Sequence, residues 1–419
     1  TCALPICTNI DFRARLLLES FSPELRLLAT NHQIDFSIST NEALALAIFE
    51  AYQGSQRVAP NPCVGCVVLD QHGRFLAKGH HEFYGGPHAE VNALKGLTED
   101  QLKEAHVIVT LEPCAHEGKT PSCAKTLANL PIKKVTYGLR DPNPLVAGAG
   151  AEILKKAGKE VHLYNPAGYD LDLTQELEEV AEIFLFNFRF KKAFLSLKWA
   201  QSLDGKTALL NGESKWITNP ISREYSHFLR SIHDATMVGA NTIIEDNPLL
   251  NVRIEGVDKK SKIIIFDPYG KVLAKEKEFQ FTKAHQSENI YYLIDELESK
   301  KINPSENFES ILKSHALNII FLDKTKGFYD PVKMNEKLFE KGVKSVLIEG
   351  GAKTIQFFLK NCEWQRIYTF IAPIILGQGQ SYSEAIVNHS MENKISLNYS
   401  KSFSFGADLF VSGISGKYN

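Results

Sequence analysis

Three short words constrain this chain more than anything else in its 419 residues: PHAEV at 87–91, EPC at 112–114 and SC at 122–123. His88, Cys114 and Cys123 supply one imidazole and two thiols, the donor types zinc prefers. Each is expected where an element of a strand–helix alternation begins. Pro87 and Pro113 both suit the first turn of a helix, so both ligand groups are expected at helix N-termini, where partial positive charge favours a thiolate.

The surrounding text supports that alternation. From Asn41, NEALALAIFEAYQG has helical spacing, with Thr40 and Asn41 as caps and Gly54 as the stop. CVGCVVLD and FLAKGH around Gly73 read as a hairpin. Then come a helix at HAEVNALKGL, a strand at AHVIVTL, a helix at CAKTLANL, a strand at KKVTYGL, a helix at GAEILKKAG and a strand at EVHLY. Such an order predicts a largely parallel sheet with helices on both faces. Residues 1–40 contain only the short amphipathic stretches RARLLLESF and PELRLLA and read as an N-terminal extension. The expected divisions are a first α/β domain at 41–165, a linker helix at 166–192 and a second α/β domain at 193–419. No internal repeat or low-complexity tract is found.

Seven cysteines, an odd number, fit a reducing compartment, and a cytoplasmic location is expected. No run approaches the roughly 20 apolar residues needed to span a bilayer. With 44% hydrophobic and 23% charged residues, the chain has enough apolar material for two cores without disulfides. A net charge of -2 argues against a general affinity for nucleic acid.

Three protein ligands would leave the fourth position on zinc open for water, as a catalytic site requires, and bound zinc lowers that water's pKa. Glu90, two residues beyond His88, is placed to move a proton between water and a leaving amine. A lone His or Cys is more often structural, so the weight lies in the joint pattern. H-x-E followed by P-C and a second Cys resembles the cytidine-deaminase-like superfamily. Many members space the cysteines as C-x-x-C; here AHEGKTPS separates them, which resembles the riboflavin-pathway branch. His116 and His81 compete as ligands in principle. The resemblance implies that APNPCVG and GHHEFYGGPHAE line a pyrimidine pocket, with Asn61 and His81 at the substrate, although Asn61 before Pro62 also suits a plain turn. The C-x-x-C of Cys63 and Cys66 is not expected to bind metal, because residues three apart on a strand point to opposite faces. Cys66 is expected in a packed face with Val64 and Val68, and Cys63 near the pocket rim.

KWAQSLDGKTA, SKWITN, HFLRSIHDATMVGANTIIEDNPLLNVR and LIEGGAKT resemble the dihydrofolate-reductase-like domain of bifunctional riboflavin-biosynthesis proteins. The resemblance implies substrate contacts at Lys198, Ser214, Arg230, Leu250, Arg253 and Glu349. It implies cofactor contacts at Ala200, Trp216, Thr242, Asp246, Gly351, Ala352, Lys353 and Thr354. SVLIEGGAKT itself reads as a strand, paired glycines and a helix, whose N–H groups at Gly351, Ala352 and Lys353 suit a pyrophosphate. A tight connection explains the same letters, and G-x-G-x-x-G is absent. Arg230 and Arg253 suit a substrate phosphate, or plain surface; Trp216 could be core, and Asp246 a turn residue.

Together these imply a cytidine-deaminase-like αβα domain followed by a dihydrofolate-reductase-like α/β domain. The implied enzyme uses one catalytic Zn2+ and NADPH. It deaminates a phosphoribosyl pyrimidine and then reduces its ribose, acting as a homodimer or tetramer. Two rivals remain at this level: a nucleic-acid deaminase with an accessory domain, and a degenerate member whose zinc is structural. Glu90 opposes the second, since a structural zinc needs no acid/base group.

Overall fold

A computed structural model describes residues 10–30, 36–117, 121–143, 147–169, 171–316, 318–361 and 363–416. The chain divides into two units, one ending at Phe190 and one starting at Lys191.

The first unit contains helices α1 (Phe12–Ser20), α2 (Pro23–Ala29), α3 (Thr40–Gln53), α4 (Ala89–Leu94), α5 (Glu99–Leu102), α6 (Cys123–Ala128), α7 (Ala149–Lys156), α8 (Thr174–Val180) and α9 (Glu182–Phe190). Its strands are β1 (Gly65–Leu69), β2 (Phe75–His80), β3 (His106–Leu111), β4 (Lys134–Leu139) and β5 (Glu160–Leu163), in sheet order β2-β1-β3-β4-β5. β3, β4 and β5 run parallel, as alternation predicts. The hairpin makes β1 antiparallel to both β2 and β3, so the sheet is mixed rather than largely parallel.

The N-cap of α3 falls one residue before the expected Thr40 and Asn41. Ser39 is the N-cap, and it forms a capping box with Glu42. Every residue from Ala43 to Tyr52 is buried, so α3 has no solvent face. A helix buried all round needs a layer on each side. The sheet provides one layer; Leu17 and Leu18 of α1, Leu25 and Leu28 of α2, and Leu177 and Val180 of α8 provide the other. Arg13 ties these pieces together, pairing with Asp11 at 2.8 Å and Glu182 at 2.7 Å and donating to the Glu179 carbonyl at 3.1 Å. Residues 10–30 and 171–190 thus share a core with 41–165, where the sequence reading expects an extension and a linker. α3 crosses β1 at Gly65, where a Cβ would lie 1.9 Å from the Ala47 carbonyl oxygen.

The second unit is built on a nine-stranded sheet. Ile319–Phe321, Ile290–Ile294, Lys262–Phe266, Ala235–Gly239, Ser345–Ile348, Phe194–Ser202 and Arg366–Ala372 follow one another in parallel. The hairpin Asp408–Ser415 and Leu397–Phe405 closes the edge antiparallel. Helix Pro220–Ile232 is anchored to that hairpin, since Asp408 accepts from Asn219 N at 2.9 Å and Ser222 Oγ at 2.6 Å. Among the described residues no helix is long and apolar enough to cross a membrane.

Candidate active sites

In the first unit the donor atoms of His88, Cys114 and Cys123 lie within 4.8 Å of one another, the one such grouping among the described residues. His88 Nδ1 is 3.5 Å from Cys114 Sγ and 3.3 Å from Cys123 Sγ. His88 is the N-cap of α4, and Cys123 is the first residue of α6. Cys114 departs from expectation: Pro113 opens no helix, and Cys114 sits in the loop after β3. It still meets a helix N-terminus, because Cys123 N–H, at the start of α6, donates to Cys114 Sγ at 3.4 Å.

Two residues that sequence reasoning missed hold this loop. Ser122 caps α6 through Lys125 N and donates to the Cys114 carbonyl at 2.7 Å. Its signal was present, a serine just before a helix. Glu112 is buried and accepts from Gly148 N at 3.0 Å and Ala151 N at 3.2 Å, fastening the EPC stretch to the start of α7. No local pattern announces that role, because its partners lie far along the chain.

The hydrogen bond with Cys123, helped by His88, draws the Cys114 thiol down to about 4. Cys123 is pushed up, first by its hydrogen bond to Cys114, then by burial and Glu90. Two sulfurs thus compete for one proton beside an imidazole. A divalent cation would let both stay ionised, and two thiolates with one imidazole fit a catalytic zinc. His116 is exposed and outside the grouping, and both ring nitrogens of His81 are engaged. Glu90 is 4% exposed, and burial raises its carboxyl, with Cys114 adding to the effect. Asn61 Nδ2 lies 3.0 Å from His81 Nε2, and His81 Nδ1 lies 2.9 Å from the Pro87 carbonyl.

Cys63 and Cys66 point to opposite faces. Cys66 is buried in the cluster with Val68 and Val64, as expected. Cys63, half-buried, packs against the α3 side, where burial pushes its thiol up to about 12.

In the second unit, Lys198, Arg230 and Glu349 converge from strand Phe194–Ser202, helix Pro220–Ile232 and the end of strand Ser345–Ile348. Arg230 grips Glu349 Oε2 through Nε at 2.9 Å and Nη2 at 2.6 Å, while Lys198 Nζ is 3.8 Å from Oε1. Burial would lift Glu349, but Arg230 and Lys198 outweigh it and hold its carboxyl low. Burial lowers Lys198 despite Glu349. Asn251 joins the second arginine: its carbonyl accepts from Arg230 at 3.3 Å and its Oδ1 from Arg253 at 3.0 Å. Leu250, just before it, is buried at φ +57°. Ser214 is exposed in the preceding loop, and no hydrogen bond joins it to the cluster.

The glycine pair is arranged differently from its sequence reading. Gly351 N–H donates to Thr242 Oγ1 at 3.0 Å and is therefore not free for a pyrophosphate. Ala352 and Lys353, the first residues of helix Ala352–Asn361, keep their N–H groups. Gly350 has φ +107°, and Thr242 Oγ1 would stand 3.0 Å from any Cβ there. Thr354 is buried against Gly239. Trp216, 71% exposed, is not core; the Arg223 guanidinium covers its ring at 4.4 Å. Asp246 is exposed at the end of helix Ala240–Asp246, 3.9 Å from Lys215, and Ala200 is half-buried on strand Phe194–Ser202.

Residues 38–139 match the cytidine and deoxycytidylate deaminase zinc-binding region, and residues 193–411 match the RibD C-terminal domain. The riboflavin biosynthesis protein RibD of Aquifex aeolicus is 36% identical over 369 residues, 88% of this chain and 96% of the relative. The chain belongs to the RibD family. Two solved RibD-type structures agree over 90% of the chain. RibD of Acinetobacter baumannii is 30% identical with a TM-score of 0.73, covering 90% of this chain and 98% of that one. A diaminohydroxyphosphoribosylaminopyrimidine deaminase/5-amino-6-(5-phosphoribosylamino)uracil reductase from Thermotoga maritima is 31% identical with a TM-score of 0.70 and the same coverage. As a RibD-family member the chain is a bifunctional riboflavin-biosynthesis enzyme, a zinc-dependent deaminase joined to an NADPH-dependent reductase.

Proposed function

We propose that His88, Cys114 and Cys123 hold the zinc and that Glu90 is the proton carrier of a hydrolytic deamination. The substrate is 2,5-diamino-6-(5-phosphoribosylamino)pyrimidin-4(3H)-one. The observation that carries this reading is the convergence of the three donors with a buried carboxyl two residues beyond His88. Zinc held by these three residues would supply a water acidic enough to attack the amino-bearing ring carbon. Glu90 takes a proton from the water and passes it to the ring nitrogen as the hydroxyl adds, then moves the hydroxyl proton to the departing amine, so a ring carbonyl and ammonia form. Its raised carboxyl suits that exchange, because an acid that gives up its proton less readily can also recover it.

In the second unit bound NADPH would supply the hydride for C1 of the ring-opened ribose, giving 5-amino-6-(5-phosphoribitylamino)uracil. Lys198, lowered by burial and steered by Glu349, is assigned to protonate or polarise the sugar. Arg230 is committed to Glu349, so Arg253, with an exposed guanidinium, is the better holder of the phosphate. Thr242 shapes the turn at Gly350 and Gly351, while Ala352 and Lys353 offer N–H groups to the cofactor. Ala200, Trp216, Asp246 and Thr354 border the cofactor, and Ser214 and Leu250 the substrate. The net charge of -2 disfavours the nucleic-acid alternative. We extend the reading to a cytoplasmic homodimer or tetramer, to be tested by light scattering and cell fractionation.

Incubating the zinc-loaded chain with the diaminopyrimidine substrate tests both halves. Ammonia is expected without NADPH, and loss of NADPH absorbance once it is added. Ammonia without NADPH consumption would overturn the reductase assignment; neither signal would overturn both.

A further inference from the structure

The chain of contacts from Asn61 through His81 to Pro87 admits one arrangement of protons. A carbonyl oxygen only accepts, and His81 Nδ1 lies 2.9 Å from that of Pro87, so Nδ1 carries the proton. His81 Nε2 lies 3.0 Å from Asn61 Nδ2, and an amide nitrogen only donates, so Nε2 is the acceptor of that contact. Carboxamide ends are alike in shape, and here the network decides between them. Asn61 Oδ1 then faces away from His81, with no donor to it among the described residues. The Asn61 backbone is also fixed, its N–H donating to the Val58 carbonyl at 2.9 Å.

We propose that His81 is a positioning residue that does not touch the substrate. By accepting from Asn61 it turns the Asn61 carbonyl oxygen toward the pyrimidine, so the deaminase unit selects a ring edge that presents an N–H donor. This rests on the deaminase reading of the site and departs from a direct substrate contact by His81. Swapping the ends of the carboxamide would offer that edge a donor instead and leave two hydrogen donors opposed.

Two measurements test it on the zinc-loaded full chain. Histidine-selective 15N labelling, with His81 assigned from the spectrum of His81→Gln, should show Nδ1 protonated and Nε2 bare. A proton on Nε2 overturns the proposal. The second is a double-mutant cycle on ammonia release, with zinc content measured in every variant. His81→Leu should raise KM about tenfold while kcat changes less than about threefold, the scale of one lost hydrogen bond. His81→Gln, whose amide can accept from Asn61 and donate to Pro87, should recover most of that loss. Asn61→Ala combined with His81→Leu should be no worse than Asn61→Ala alone. Additive effects would show that His81 acts on the substrate itself, and a loss that follows zinc content would reduce it to a structural role; either overturns the proposal. If His81→Leu does not fold, the labelling and the His81→Gln variant decide. Absence of ammonia from the unmutated chain would sink the deaminase reading instead, leaving the labelling to judge the proton arrangement.

Discussion

The two sites of this chain are built from different kinds of residue. In the first unit three donors of two rare types meet within 4.8 Å, all drawn from the stretch between His88 and Cys123. In the second, Lys198, Arg230 and Glu349 come from three separated elements, and the turn beside them is shaped by Thr242 and two glycines. A metal accepts few ligand types at fixed distances, so a few letters identify its site. A nucleotide or phosphate site uses backbone N–H groups and ordinary cations, which occur everywhere in a sequence.

That contrast predicts that the sites fail separately. The largest effect is expected for Glu90→Gln, which should keep zinc and lower ammonia release by about 10²- to 10⁴-fold. NADPH oxidation on the deaminated intermediate should be unchanged, and a parallel fall in both activities would break the comparison. Next is Arg230→Ala, which leaves Glu349 buried with only the more distant Lys198 for charge. Losing one partner of such a pair costs on the order of 3 kcal/mol, so denaturant unfolding of the second unit should shift while ammonia release persists. The Glu349 carboxyl is held below its ordinary value, so its contribution is present above about pH 4.3 and lost as the pH falls through the lowered folded-state value. In acid, the stability gap between the parent chain and Glu349→Gln should therefore narrow.

The fold was legible where periodicity was local, and less so where covering layers were distant. The alternation from Asn41 to Tyr164 gave β1 to β5 and the helices between them, yet the hairpin's reversal of β1 hid in strands that read alike in either direction. Residues 10–30 read as part of an extension because α1 and α2 are short. The overlooked signal was α3, whose ALALAIF run has no polar face and so demands a second layer. Of the sites, the grouping of His88, Cys114 and Cys123 was legible from motif spacing, whereas the second cluster needed the family resemblance. Glu112 was hidden because its partners are backbone groups of a distant helix. Leu28→Ala, removing a side chain 1% exposed, should destabilise the first unit by about 2–5 kcal/mol and spare the second. Unfolding of each unit, followed through the two activities in denaturant, checks this; no shift would return residues 10–30 to the status of an extension.

The smallest effect sharpens the point about letters and geometry. Cys63 and Cys66 have the C-x-x-C spacing often read as half of a zinc site, while the proposed ligands Cys114 and Cys123 lie nine apart. Strand β1 begins at Gly65, and its side chains alternate between the two faces of the sheet. Cys66 enters the cluster with Val107 and Val109, and Cys63 packs against the cluster of α1, α3 and α8 on the opposite side. Burial also raises both thiols, so neither offers a thiolate at neutral pH. Cys63→Ser together with Cys66→Ala should therefore leave one zinc per chain and full ammonia release per folded molecule, with only a modest loss of stability from the smaller side chain in the core. A zinc content that falls with these two changes, in protein that still unfolds cooperatively, would mean that the first unit holds its metal by a route other than His88, Cys114 and Cys123.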